Sequence, residues 1–120
     1  MIRVLLMEDH AAFREALAFL LGREPDIEVV AQAGSLAEAR EALDGTLDVA
    51  VVDLALPDGD GRELFGELRH ASPDASVLVL SATVEPGHLD DLREAGADAV
   101  LSKVESPPII VEEVRRLAGC

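Results

Sequence analysis

Five polar residues stand at or just beyond the ends of short apolar runs in this chain. They are, in chain order, Glu8, Asp9, Asp53, Ser81 and Lys103. If the apolar runs are parallel strands, their carboxyl ends meet at one edge of a sheet, which is where open α/β sheets bind ligands. The spacing therefore predicts a single polar site with three carboxylates, one hydroxyl and one ammonium group.

Three clustered carboxylates predict a bound cation, because they repel one another when all are ionised. If the first and third strands are neighbours, about 4.8 Å apart, Asp9 and Asp53 can converge with Glu8 beside them. Hard oxygen ligands favour Mg²⁺, which keeps several waters and leaves a position for a phosphoryl oxygen. We expect Mg²⁺ to be the cofactor.

The remaining groups suit phosphoryl transfer. The carboxylate of Asp53 can attack phosphorus as a nucleophile and form an acyl phosphate. Lys103 would pair with the transferred phosphoryl oxygens, and the Ser81 hydroxyl would donate a further hydrogen bond.

Each residue also has a plainer interpretation. An acidic pair after a strand is often a solvated turn or a helix N-terminus, where the helix dipole favours carboxylates. A lone serine or lysine is commonly a turn hydroxyl or a surface charge. Asp53 is harder to explain in this way, because an acid that closes a buried apolar run needs a partner or a function. The joint placement of all five at strand ends favours a site.

Two other sets of residues are given no chemical role. The histidines lack the spacing of metal ligands and fall in different helical segments: they are His10, His70 and His88. The acidic, glycine-rich segment from Pro57 to Gly61 lacks the later ligands of a calcium loop. We expect it to form a flexible loop that borders the site.

The elements that must position the site alternate along the chain. The apolar runs are Ile2 to Met7, Ile27 to Ala33, Val49 to Val52, Val77 to Leu80, and Ala99 to Leu101. Four of them lack polar alternation, as expected for strands covered on both faces. The segments between them have apolar residues at helical spacing. The stripes are Phe13, Ala16, Leu17, Leu20 and Leu21; Leu64, Phe65 and Leu68; Leu89 and Leu92; and Ile110, Val114 and Leu117.

Helix start signals agree with this division. Ser35 with Glu38 forms a plausible capping box, and Ser106 followed by Pro107 marks another helix start. Five strand–helix units with short right-handed connections predict an α/β fold, a doubly wound parallel sheet with helices on both faces. We assign residues 1–120 to one domain.

Composition limits the partners. The chain has 24 acidic and 10 basic residues, a net charge of -14, which should repel nucleic acid and anionic lipid. The run from Ile2 to Met7 is too short to span a membrane and is not followed by a cleavage site for a signal peptide. Cys120, the only cysteine, fits a reducing compartment. We expect a cytoplasmic protein that binds neither nucleic acid nor membrane directly.

Four motifs resemble the response-regulator receiver family of two-component systems. They are Met-Glu-Asp-His at 7–10, Val-Val-Asp-Leu-Ala-Leu-Pro-Asp-Gly-Asp-Gly at 51–61, Leu-Ser-Ala-Thr at 80–83, and Gly-Ala-Asp-Ala-Val-Leu-Ser-Lys at 96–103. Their order and separations match the family over the whole chain, and the first and last look most like the NarL-type (LuxR-type) subgroup. The resemblance implies a flavodoxin-like order, 2-1-3-4-5, for the five strands.

The resemblance also implies roles. Asp53 would accept a phosphoryl group from a histidine kinase, Asp9 would ligate Mg²⁺ directly, Glu8 would hold it through water, and the backbone carbonyl of Ala55 would be a further ligand. Ser81 and Lys103 would contact the phosphoryl group. The surface of the fourth helix, fifth strand and fifth helix would then control homodimerisation or a C-terminal DNA-binding output domain, absent from this chain. No such domain follows Leu117, so we expect a stand-alone receiver or an excised domain.

Two positions depart from the family. The aromatic residue usual three positions before the lysine is Val100, which puts rotamer-coupled signalling in doubt. The residue after Lys103, often a proline with a cis peptide, is Val104, for which a cis bond would cost about 3 kcal/mol. The pattern leaves the isomer open.

Two other functions compete with phosphoryl acceptance. Haloacid-dehalogenase-type phosphatases use a strand-end aspartate nucleophile, but they need a second aspartate two positions later, where this chain has Ala55. Substrate turnover is therefore disfavoured. A degenerate receiver would bind partners without phosphorylation, as Val100 suggests, but it should have lost acidic residues or the lysine.

Overall fold

The computed structural model describes residues 1–82 and 85–119. Cys120, and Thr83 of the third family motif, lie outside the described residues. The elements in chain order are β1 (Ile2–Met7), α1 (Ala11–Gly22), β2 (Ile27–Ala33), α2 (Leu36–Ala42), β3 (Val49–Asp53), β4 (Ala55–Leu56), β5 (Gly59–Asp60), α3 (Glu63–Ala71), β6 (Ser76–Ser81), α4 (Pro86–Ala95), β7 (Ala99–Ser102) and α5 (Pro107–Leu117).

The five long strands form one parallel sheet in the order β2-β1-β3-β6-β7. Counted among these strands alone, the order is 2-1-3-4-5, so the predicted fold class and strand order are confirmed. The third and fourth strands end one residue later than the apolar runs indicated, because Asp53 and Ser81 are themselves the last strand residues. Both side chains are therefore held by the sheet.

Two hydrophobic cores cover the two faces of the sheet. One contains Leu5 and Met7 of β1 with buried residues of α2, α3 and α4. The other contains Val4 and Leu6 of β1 with buried residues of α1 and α5. Successive strand residues point to opposite faces, so β1, which is central and needs apolar residues on both, reads as a continuous apolar run. Helices cover both faces of the sheet, as predicted, and this is why β1 is apolar at successive positions.

The helix ends follow the predicted signals with one difference. Ser35 Oγ accepts a hydrogen bond from the backbone N–H of Glu38 at 3.1 Å. The carboxylate of Glu38, however, accepts from the N–H of Gly34 at 3.0 Å, one residue before the partner in a capping box. At the other end of the chain α5 begins with Pro107, as the sequence indicated.

The segment predicted as a loop from Pro57 to Gly61 contains regular structure. Strands β4 and β5 pair antiparallel, with Ala55 opposite Asp60. At the tip of this hairpin, the Asp58 carboxylate accepts hydrogen bonds from the backbone N–H groups of Leu36 at 2.8 Å and Ala37 at 3.1 Å. The predicted loop is therefore a short hairpin, and its tip side chain satisfies amides at the start of α2 that have no partner within the helix.

Within the described part of the chain, no helix is both long and apolar enough to cross a membrane.

Candidate functional site

Asp53 lies at the carboxyl end of a central strand and is 8% exposed. It is in register with Leu80 of β6. Its Oδ1 atom accepts a weak hydrogen bond from the N–H of Ala55 at 3.3 Å. The chain passes close by again at Gly61, where a Cβ atom would lie 2.7 Å from the carbonyl oxygen of Asp53. Only glycine fits there without a backbone shift.

Glu8 and Asp9 follow β1, which neighbours β3 in the sheet, so their carboxylates approach that of Asp53. One carboxylate oxygen from each of these residues lies within 4.8 Å of the others. Glu8 is only 1% exposed, while Asp9 is exposed to solvent. Burial raises the pKa of Glu8, although hydrogen bonds from Lys103 and from the His10 backbone oppose this effect.

Lys103 joins the two buried carboxylates from the far end of the chain. Its Nζ atom lies 3.0 Å from Glu8 Oε2 and 3.2 Å from Asp53 Oδ2. Burial disfavours the ammonium charge, but hydrogen bonds to Glu8 and Asp53 outweigh burial and raise the pKa of Lys103. The backbone N–H of Lys103 also donates to the Ser81 carbonyl at 2.9 Å. This bond holds the ends of β6 and β7 together.

The peptide after Lys103 is trans, as is every peptide bond in the described residues. Val104 is 91% exposed, so its side chain takes no part in the site. Val100 is partly buried against the core that contains α4 and pairs with Val79.

Ser81 ends β6 and is 7% exposed. It lines an open cleft of ≈ 390 Å³. The other lining residues are Asp53, Leu54, Ala55, Ala82, Glu85 and His88. The structure thus gathers all five predicted polar residues at one sheet edge, and it places Ala55 in the same cleft as Asp53.

Three further residues contact the site and were not identified from the sequence. The ring centroid of Phe13 lies 5.0 Å from Lys103 Nζ, a cation–π distance. Arg14 Nη1 donates to the backbone oxygen of Glu8 at 2.8 Å. His88 Nε2 lies 3.3 Å from Ser81 Oγ. The sequence identified Phe13 as the first member of an apolar helical stripe, but that stripe indicated core packing alone.

The donor set fits a hard divalent cation. Three carboxylates supply only oxygen ligands, which Mg²⁺ prefers, and one of them is solvent-exposed, so water can complete the coordination shell. The single ammonium group offsets only one of the three carboxylate charges, which leaves the cluster with net negative charge. These residues can therefore hold Mg²⁺ beside Asp53.

Residues 4–115 match the family described as the response regulator receiver domain. The chain belongs to the response regulator receiver family. Among its relatives is the DNA-binding transcriptional activator DevR/DosR of Mycobacterium tuberculosis, 39% identical over 86% of this chain and 48% of the relative. The receiver therefore spans about half the length of that relative.

Solved structures agree. The signal receiver domain of the putative response regulator NarL from Mycobacterium tuberculosis aligns with a TM-score of 0.89, 30% identity, and coverage of 98% of this receiver and 96% of that chain. A response regulator from Burkholderia pseudomallei, solved with a phosphorylated aspartic acid, a calcium ion and citrate, aligns with a TM-score of 0.82 and 26% identity, over 99% of this receiver and 69% of that chain. The predicted resemblance to the NarL-type (LuxR-type) subgroup is confirmed.

Proposed function

We propose that this receiver accepts a phosphoryl group on Asp53 from a histidine kinase, with Mg²⁺ as cofactor. The observation that carries the proposal is the joint contact of Lys103 with Glu8 and Asp53, at 3.0 and 3.2 Å. A nucleophile, a cation-binding cluster and an ammonium group then lie together at one edge of the sheet. Phosphoryl transfer needs positioning and charge neutralisation above all, and these groups supply both.

The transfer itself is a displacement at phosphorus. A carboxylate oxygen of Asp53 forms the new P–O bond while the P–N bond to the kinase histidine breaks, and the bonding electron pair stays on the imidazole nitrogen. The product is an acyl phosphate. Mg²⁺, when bound, neutralises phosphoryl oxygens and orients them.

The residues of this chain have distinct tasks in that step. Asp9 would hold the metal directly, Glu8 through water, and Asp53 with the Ala55 carbonyl would complete the protein ligands. The ammonium group of Lys103 would pair with the phosphoryl oxygens once they carry the negative charge. The Ser81 hydroxyl would donate a hydrogen bond to one of these oxygens. The chemistry is limited to self-catalysed phosphoryl transfer and loss, with no turnover of other substrates.

The output would run through the face formed by α4, β7 and α5, which lies beside Ser81 and Lys103. We propose that phosphorylation alters this face and controls dimerisation or an output domain. The similarity to a DNA-binding transcriptional activator supports transcriptional control as the output. The alternative is a degenerate receiver that binds partners without phosphorylation, and Val100 in place of the usual aromatic residue is the feature that favours it.

Mass spectrometry after incubation with acetyl phosphate and Mg²⁺ tests the proposal. The parent chain should gain one phosphoryl group, which hydroxylamine removes because the adduct is an acyl phosphate. Asp53→Ala should gain none. Asp74→Ala, which removes an exposed acid, is the matched control and should label like the parent. Labelling that persists in Asp53→Ala would exclude the assignment, and a parent chain that stays unlabelled would favour the degenerate receiver.

A further inference from the structure

One side chain of α4 reaches the candidate site. His88 lies in the first turn of α4 (Pro86–Ala95) and is half-buried. Its Nε2 atom is 3.3 Å from Ser81 Oγ, and its ring lines the same cleft as Asp53. The helix is therefore tied to the hydroxyl group that the proposed function assigns to the phosphoryl group.

The hydroxyl group of Ser81 has a single proton. It can donate that proton to one acceptor at a time. A neutral imidazole with an unprotonated Nε2 is such an acceptor, and a phosphoryl oxygen on Asp53 is another. The hydrogen bond from Ser81 to His88 must therefore break before the Ser81 hydroxyl can donate to the phosphoryl group.

The surroundings of His88 favour Ser81 as its partner. Asp60, an acidic side chain that interacts electrostatically with His88, is held by Arg62, whose Nη2 lies 2.7 Å from Asp60 Oδ2 and whose backbone N–H donates to Asp60 Oδ1 at 2.8 Å. Ser81 is fixed at the end of β6, where the N–H of Lys103 binds its carbonyl oxygen. The side chain of Ser81 can therefore turn between two acceptors without movement of the strand.

We propose that His88 is a positioning residue that competes with the phosphoryl group for the Ser81 hydroxyl proton. The inference rests on the proposed phosphorylation of Asp53. In the unphosphorylated chain, His88 holds the first turn of α4 to the sheet edge through Ser81. Phosphorylation transfers that hydrogen bond to the phosphoryl group and releases the turn. The competition gives a direct route from Asp53 to α4 that needs no aromatic side chain at position 100.

A double-mutant cycle measures the competition. Beryllofluoride with Mg²⁺ serves as the phosphoryl mimic, and its affinity is measured by NMR titration for the parent, His88→Ala, Ser81→Ala and the double variant. His88→Ala should bind the mimic about threefold to tenfold more tightly, the range that one net hydrogen bond supplies. Ser81→Ala should bind it more weakly. In the Ser81→Ala background, the His88 substitution should have no further effect.

Three results would overturn the competition. The first is an unchanged affinity in His88→Ala. The second is a weaker affinity, which would mean that His88 supports the hydrogen bond of Ser81 instead of opposing it. The third is a gain that persists without the Ser81 hydroxyl. His70→Ala, which removes an exposed histidine of α3, is the matched control and should bind like the parent.

A second measurement separates this proposal from the proposed function. Without beryllofluoride, Ser81→Ala should shift the ¹⁵N resonance of the His88 ring, because the hydrogen bond exists before phosphorylation, and an unshifted resonance would overturn the proposal. If the ring shifts as expected but the parent chain fails to bind beryllofluoride, the phosphorylation of Asp53 is excluded, and the competition fails with it. If the parent binds but the cycle shows no coupling, only the role of His88 is wrong.

Discussion

Lys103 Nζ lies 3.0 Å from Glu8 Oε2, although 95 residues separate them in the chain. The Glu8 side chain is only 2% exposed, and that of Lys103 is 22% exposed. A buried carboxylate is costly unless it is paired, and Lys103 pairs with Glu8 and with Asp53. The ammonium group therefore stands at the point where the cluster needs positive charge, next to the proposed metal.

Lys103→Met should increase the affinity for Mg²⁺. The ammonium group pairs with two of the carboxylates, offsets one of their charges and repels a nearby cation. Its removal should therefore tighten Mg²⁺ binding by about tenfold, the free-energy equivalent of a pKa shift of about one unit from a neighbouring charge. Calorimetric titration measures this. Arg93→Met removes an exposed cation of α4 and should leave the affinity unchanged. Weaker binding in Lys103→Met would show that the lysine supports the metal site.

The acidic residues should differ in their effect on the metal. Glu8→Gln should weaken Mg²⁺ binding by about tenfold, the smaller of the losses that are typical when a residue that supports a metal indirectly is changed. Asp9→Asn should weaken Mg²⁺ binding by more, because a charged direct ligand is lost. Glu41→Gln, an exposed substitution on α2, should change nothing. Equal affinities for Asp9→Asn and the parent would mean that the metal lies elsewhere.

Asp58 should contribute to stability in a pH-dependent way. Hydrogen bonds from the backbone N–H of Leu36, and then of Ala37, hold the pKa of Asp58 below its usual value despite partial desolvation. A lowered pKa stabilises the fold above the unfolded-state value, about 3.9, and that contribution is lost as the pH falls through the folded-state pKa.

Asp58→Ala should therefore lower the melting temperature by a few degrees at pH 7, and the difference from the parent should shrink below pH 4. Circular dichroism melts across this range measure it. Asp74→Ala is the exposed control. A difference that stays constant as the acid is protonated would show that Asp58 acts through packing instead of its charge.

Val100 should remain in place when the site is activated. Its β-branched side chain has few rotamers, and it packs against the core that contains Phe65 and Leu92. Beryllofluoride should shift backbone signals of Ser81 and of residues 85–92 but leave the Val100 methyl rotamers nearly unchanged, with a modest effect on self-association. Methyl and amide NMR together with sedimentation test this. A large change in the Val100 rotamer without a shift of the Ser81 backbone signals would show that the proposed route through Ser81 is wrong.

Much of the fold was predictable from the sequence. A strand buried on both faces requires apolar residues at successive positions, so β1, β3 and β6 appear as unbroken runs. Polar residues at the ends of such runs then mark one sheet edge, which is how Asp53 and Ser81 were assigned to a common site. The strand order came from the family resemblance, because hydrophobic pattern alone does not specify which strands are neighbours.

Other contacts were decided by tertiary structure. Phe13 reads as a core residue in its helical stripe, yet its ring also lies beside Lys103. Asp58 reads as part of a polar loop, yet it caps α2, which precedes it in the chain. His88 has no local signal, and it meets Ser81 only because α4 packs on the sheet with its first turn over the cleft. Sequence periodicity specifies which face of an element is buried, whereas the partners of a polar side chain depend on how separate elements dock in three dimensions.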